Sequence, residues 1–115
     1  MPDTFQENFA VVYDNSTGIQ ELLTEVFVFL KIISYVPQDE DSLFEYLQDE
    51  KCVLIITNIK NQETLERIRA KNPNVKIVIF SGYDLSKDDL PSADLILLKP
   101  TPLAVFEEKI RELFS

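Results

Sequence analysis

The stretch 54-LIITNIKN-61 decides how this chain reads. Leu54, Ile55 and Ile56 are apolar without alternation and mostly β-branched, and with Val53 before them they describe a short strand buried on both faces of a sheet. The apolar run stops at Thr57 and Asn58, so an amide stands where the strand leaves the core. Asn61 then offers a side-chain oxygen to the first turn of a helix over "NQETLERIRAKNP", with Leu65, Ile68 and Ala70 turned inward and Pro73 ending it. A buried strand followed closely by an amphipathic helix is half of a βαβ unit.

The same alternation extends in both directions. Upstream, "NFAVVYD" (8–14) is a β-rich run closed by the turn and cap residues Asp14 to Gly18. "STGIQELLTEV" places Ile19, Leu22, Leu23 and Val26 at helical spacing, and "FLKIISYV" returns to strand-forming residues before Pro37. "QDEDSLFEYLQDE" begins with acids that suit the positive end of a helix and sets Leu43, Phe44 and Leu47 on one face. "KCVLIITN" (51–58) is the third strand. Downstream, "NVKIVIFSG" is a fourth strand, "YDLSKDDLPSA" holds no more than a turn or so of helix, and "DLILLKP" is a fifth strand. "TPLAVFEEKIRELFS" reads as a closing helix with Thr101 as N-cap, Pro102 at its first position, and Leu103, Phe106, Ile110 and Leu113 inward.

At 115 residues and 45% apolar content the chain suits one domain, 1–115, with no repeats or linkers. Its 20 acids against 11 bases give a formal charge of −9, which repels nucleic acid and anionic lipid and suits a basic protein partner. Without histidine, the usual zinc sites, a Ser-His-Asp triad and a phosphohistidine are excluded. Cys52 has no second cysteine to pair with. "MPDTFQENFA" lacks a signal layout, and no window reaches the roughly 18 uncharged apolar residues of a spanning helix, so a cytoplasmic protein is expected.

Strands alternating with helices predict a doubly wound α/β fold, whose functional crevice lies at the carboxyl ends of the strands. Those ends are Tyr13-Asp14, Asn58, Ser81-Gly82 and Lys99-Pro100. From about residue 8 onward, "VVYDNS", "IITNI", "IFSG" and "LLKP", in this order, resemble four motifs of the response-regulator receiver domain of two-component systems, as in chemotaxis regulators. The resemblance implies a flavodoxin-like five-stranded parallel sheet in order 2-1-3-4-5, here with a shortened fourth helix. It also implies a phosphorylation pocket: paired acids that hold magnesium, a phosphorylated aspartate, a Ser or Thr that follows the phosphoryl group, and a Lys-Pro with a cis bond.

Carried over residue by residue, the resemblance places Tyr13 and Asp14 at the paired acids, Asn58 at the phosphoacceptor, Ser81 at the hydroxyl, and Lys99 and Pro100 at the Lys-Pro. An amide is a poor nucleophile and a poor magnesium ligand, so phosphorylation of Asn58 is not expected; the alternative role is a strand-end amide bonded to loop backbone. Asp14 is the one carboxylate left of three, and magnesium usually needs carboxylates together with phosphate and water, so weak or no magnesium binding and no cofactor are expected. Asp14 also suits capping of the helix that starts near Ser16. Lys99 is expected to pair with Asp14 or bond Asn58. Ser81, without a phosphoryl group, is left to bond its own turn. Ile96 stands where the family carries an aromatic switch residue. The loop after Asn58 is short, which brings Lys60 toward the pocket mouth, either as an exposed cation or as a stand-in for the metal's charge.

Outside the pocket, Asp39, Glu40, Asp41, Glu45, Asp49 and Glu50 form either a solvated face or a docking surface for a basic signalling protein. The charges of "EEKIREL" read as solvent-facing pairs. Receiver domains often dimerise through the fourth helix, fifth strand and fifth helix, so a homodimer is one expected assembly, although the broken "YDLSKDDLPSA" alters that face. The reading is a pseudo-receiver, not an enzyme, that acts by protein–protein contact independently of phosphorylation. Its alternative is a stand-alone regulator still switched by phosphorylation at a substitute residue or by another ligand.

Overall fold

The computed structural model describes residues 8–115; residues 1–7, part of the stretch read for a signal layout, lie outside the described residues. Strands β1 (Phe9–Tyr13), β2 (Ile33–Tyr35), β3 (Cys52–Thr57), β4 (Lys76–Ser81) and β5 (Leu95–Leu98) form one sheet in the order β2-β1-β3-β4-β5. Every pairing is parallel. Helices α1 (Thr17–Phe29), α2 (Glu40–Leu47), α3 (Gln62–Lys71) and α4 (Leu103–Leu113) connect or close these strands. This is the expected flavodoxin-like topology, with its reversal of strand order between β1 and β3.

The period-two geometry of a strand divides the apolar residues between two cores. Phe9, Val11, Ile55, Ile77 and Ile79 face Leu43 and Leu47 of α2 and Leu65 and Ile68 of α3. Ala10, Val12, Leu54, Ile56, Val78 and Phe80 face Leu23 and Phe27 of α1 and Phe106 and Ile110 of α4. The unbroken apolar runs are thus explained by two-sided burial. No helix among the described residues is long and apolar enough to cross a membrane.

Tertiary packing overrides local propensity at the end of α1. The sequence suggests a strand beginning near Phe29, yet the helix continues to Phe29 and β2 shrinks to three residues. Phe27, one turn beyond Leu23, is fully buried with its ring 6.3 Å from that of Phe106, so the longer helix seats this side chain in the core. The helix stops because Lys31 adopts φ 61°, letting Ile32 N donate to Phe27 O (2.8 Å) and Lys31 N donate to Val28 O (3.1 Å). That is a Schellman motif with lysine where glycine is usual, so the sequence carries no stop signal. Leu22, expected inward, is 50% exposed because its neighbour Leu23 takes the buried position.

Smaller expectations are corrected as well. Ala70 is exposed, since Leu65 and Ile68 already cover the inner face of α3. Thr101 does not cap α4: its hydroxyl turns back to donate to Leu98 O (2.6 Å), Pro102 occupies the N-cap, and Leu103 lies outward. Residues 82–94 carry no helix, only turns. This segment is fastened to its neighbours instead. Asp94 accepts from Ile77 N (2.7 Å) and Arg69 (2.8 Å), Ser92 exchanges bonds with Gln62, and Leu90 and Ala93 fill the core space below. Cys52 is buried, and its thiol pKa is pushed up to about 12 by desolvation, which leaves it unreactive at neutral pH.

The orientation of α1 separates two phenylalanines two residues apart. Phe27→Ala is expected to cost about 3–5 kcal/mol in urea unfolding, and Phe29→Ala less than about 0.5 kcal/mol. Lys31→Gly is expected to raise stability by about 0.5–1 kcal/mol in the same assay, because glycine occupies the left-handed cap without the Cβ penalty.

Candidate functional site

The carboxyl ends of the strands bring together residues that are far apart in sequence. Tyr13 ends β1 and Asp14 follows it; Asn58 follows β3; Ser81 ends β4; Lys99 follows β5. The Lys99–Pro100 peptide is cis.

Asp14 is the electrostatic centre. It is 5% exposed, and its two oxygens have separate partners: Oδ1 accepts from Ser16 N (2.8 Å), and Oδ2 meets Lys99 Nζ at 3.0 Å. Ser16, not Asp14, is the N-cap of α1, and its Oγ accepts from Ile19 N (3.4 Å). Gln20 donates to the Asp14 carbonyl and so ties the first turn of α1 to the end of β1. The Lys99 ammonium also lies 5.4 Å from the centroid of the Phe80 ring, so its charge is held between a carboxylate and an aromatic face. Of the two partners expected for Lys99, the structure selects Asp14.

Asn58 takes a different partner from the loop backbone expected of it. Its Nδ2 donates to Asn15 Oδ1 at 2.7 Å, a side-chain bond across the crevice. The neighbouring backbone is served by Thr57, whose Oγ1 accepts from Ile59 N (3.2 Å). Thr57 is fully buried and Tyr13 lies beside it in register, which fixes the level of Asn58 relative to β1.

Ser81 is 1% exposed and bonds its own turn, its Oγ accepting from Tyr83 N (3.0 Å). Ser81 O accepts from Lys99 N (2.7 Å), joining the ends of β4 and β5. Lys60 does not reach Asp14; its Nζ sits 4.2 Å from the centroid of the Tyr83 ring. Tyr13 packs against the core below α2 and α3, where burial first, and then the charges of Glu40 and Asp39, raise its phenol pKa. Ile96 is partly buried against that same core.

The donor set does not fit magnesium. The crevice offers one carboxylate, both of whose oxygens already have partners, and no group of three potential ligands occurs among the described residues. An ammonium, Lys99, stands against the acid instead. Four residues that shape the site were not singled out from the sequence: Asn15, Gln20, Phe80 and Tyr83. Only Asn15 carried a signal, as part of the "DNSTG" turn.

No protein-family model matches the sequence, and comparison with curated proteins finds no match. Solved structures do match. A CheY-like response regulator receiver domain protein from Methanospirillum hungatei superposes with a TM-score of 0.79 at 22% identity, covering 92% of this chain and 92% of that one. An orphan response regulator of H. pylori gives 0.74 at 16% identity, over 93% and 97%. The response regulator protein TrrA from Thermotoga maritima, solved in complex with Mg2+-BeF, gives 0.78 at 22% identity, over 92% and 98%. The fold is that of receiver domains.

The Asp14–Lys99 pair predicts a measurable asymmetry. The Lys99 side chain is 21% exposed and that of Asp14 1%, so Lys99→Met strands a buried carboxylate and is expected to cost about 3 kcal/mol in urea unfolding. Adding Asp14→Asn to Lys99→Met is expected to return more than half of that loss, a coupling that a double-mutant cycle reads directly.

Proposed function

We propose that the chain is an atypical receiver domain in two-component-type signalling, working by protein–protein contact without aspartyl phosphorylation. The observation that carries this reading is the Asn58–Asn15 bond: the position after β3 holds an amide engaged with another amide, with no carboxylate to attack phosphorus. The pairing of Asp14 with Lys99 supports it, because phosphoryl transfer relies on metal ions and positioned cations to neutralise developing charge, and this carboxylate is committed to an ammonium. A domain that keeps the receiver scaffold without its chemistry has its surface left to act with. The net charge of −9 favours a protein partner with a basic face.

Acetyl phosphate with magnesium tests the proposal, read by intact mass. The wild-type chain is expected to gain no phosphoryl adduct, Asn58→Asp a small fraction, and Asn58→Asp with Tyr13→Asp clearly more, as the carboxylates for metal and acceptor return one at a time. Efficient labelling of the wild-type chain at any residue would overturn this reading in favour of a regulator switched by phosphorylation at a substitute position.

A further inference from the structure

A second concave site lies between the β2 edge of the sheet and α2, and it shares no residue with the crevice around Asp14 and Asn58. It is a cleft of about 550 Å3, lined by Phe9, Tyr35 and Tyr46, by the carboxylates of Glu45 and Asp49, and by polar and apolar residues of the loop after β2. Its volume falls within the range of ligand sites, and its lining is of one chemical kind: aromatic rings beside acids, with no lysine or arginine.

The rings form a fixed unit. Tyr35 and Tyr46 stack with centroids 5.1 Å apart and planes 20° apart, and Phe9 meets both edge-on, at 5.1 and 6.0 Å. Tyr35 nevertheless remains 42% exposed, so ring surface is open to solvent beside the cleft. Ser42, Glu45, Tyr46 and Asp49 follow one another at spacings of three, one and three, which sets them on one face of α2 and the turn after it. Neither Glu45 nor Asp49 belongs to an ion pair among the described residues; the Asp49 carboxylate accepts from Lys51 N (2.9 Å). The negative field of this region is felt nearby, where Glu40 and Asp39 help to raise the Tyr13 phenol pKa.

The chain already satisfies the same combination once, elsewhere on α2. Arg67 places its guanidinium 2.7 Å from Glu40 and 4.8 Å from the centroid of the Phe44 ring, so one acid and one ring of α2 hold one internal arginine. The face carrying Glu45, Tyr46 and Asp49 presents acids and rings, and neither acid is ion-paired among the described residues. A planar guanidinium stacks on aromatic rings and pairs with carboxylates through its fork of N–H donors, whereas an ammonium offers a compact and strongly hydrated point charge.

We propose that this cleft receives an arginine side chain from a basic segment of a partner protein. The rings supply stacking, Glu45 and Asp49 supply the counter-charge, and the surrounding acids Asp39, Asp41 and Glu50 draw the segment in. The recognition chemistry does not depend on whether Asn58 can be phosphorylated.

The test is a titration of the isotope-labelled chain with acetyl-Gly-Arg-Arg-Gly-amide, followed through backbone amide shifts. Saturable shifts confined to residues 35–38 and 42–49 are expected. Replacing both arginines by citrulline, which keeps the shape and removes the charge, is expected to abolish them. Glu45→Gln with Asp49→Asn is expected to weaken binding by about tenfold, as loss of the counter-charge would require. Tyr35→Leu, which keeps an apolar side chain and both acids, is expected to weaken it as well. As a control, Glu21→Gln with Glu25→Gln on the exposed side of α1 is expected to change little. Shifts scattered over the whole acidic surface, an equal loss in the α1 control, or equally tight binding of acetyl-Gly-Lys-Lys-Gly-amide, which keeps the charge without the planar guanidinium, would each overturn the proposal.

Discussion

Burial of the sheet on both faces is the constraint on which everything else in this molecule depends. A parallel strand covered on both sides has no solvent-facing residues, so β1, β3 and β4 must be apolar along nearly their whole length. Polar chemistry is then forced to the strand ends. That single requirement places Asp14, Asn58, Ser81 and Lys99 in one crevice, since each is the first or nearly the first residue that can be polar as its strand leaves the core. It also explains why Thr57, one residue too early, is fully buried and satisfies its hydroxyl on the backbone of Ile59.

Within that crevice, pairing rules decide the arrangement. A carboxylate as enclosed as that of Asp14 is costly without a partner, and the structure supplies both an N–H and an ammonium. The result is a site that is electrostatically closed upon itself. Asn58 and Asn15 likewise satisfy one another, and Lys60 is drawn to Tyr83. The crevice therefore uses its polar groups on internal bonds.

The connection between β4 and β5 shows a second way of covering a sheet. Where a helix would bury its own backbone groups, residues 82–94 borrow partners from α3: Arg69 reaches the carbonyls of Pro73, Val75 and Ser92 as well as Asp94, while Gln62 holds Ser92. Leu90 and Ala93 supply the apolar contact that a helix would otherwise give. On the same face of the sheet, toward its β2 edge, α2 carries two sets of acids and rings. One set is spent on the internal Arg67; the other lines the cleft beside Tyr35.

The sequence by itself determined the fold class and the strand ends at which Asn58, Ser81 and Lys99 stand, because two-sided burial writes an unbroken apolar run and its ends are plain in "IITN", "IFSG" and "LLKP". The cap at Asn61 was legible from a polar side chain just before a periodic apolar stripe. Whether Lys99 would meet Asp14 or Asn58 was left to the tertiary structure, and the bond of Asn58 to Asn15 in place of the expected loop backbone came from it alone, since these partners lie dozens of residues apart and the choice turns on ångström-scale geometry. The end of α1 was hidden because a lysine does the work of a glycine at position 31, so "FLKIISYV" read as strand from Phe29 although the helix runs to that residue. Local sequence records periodicity and caps; long-range packing alone chooses among partners that are chemically equivalent.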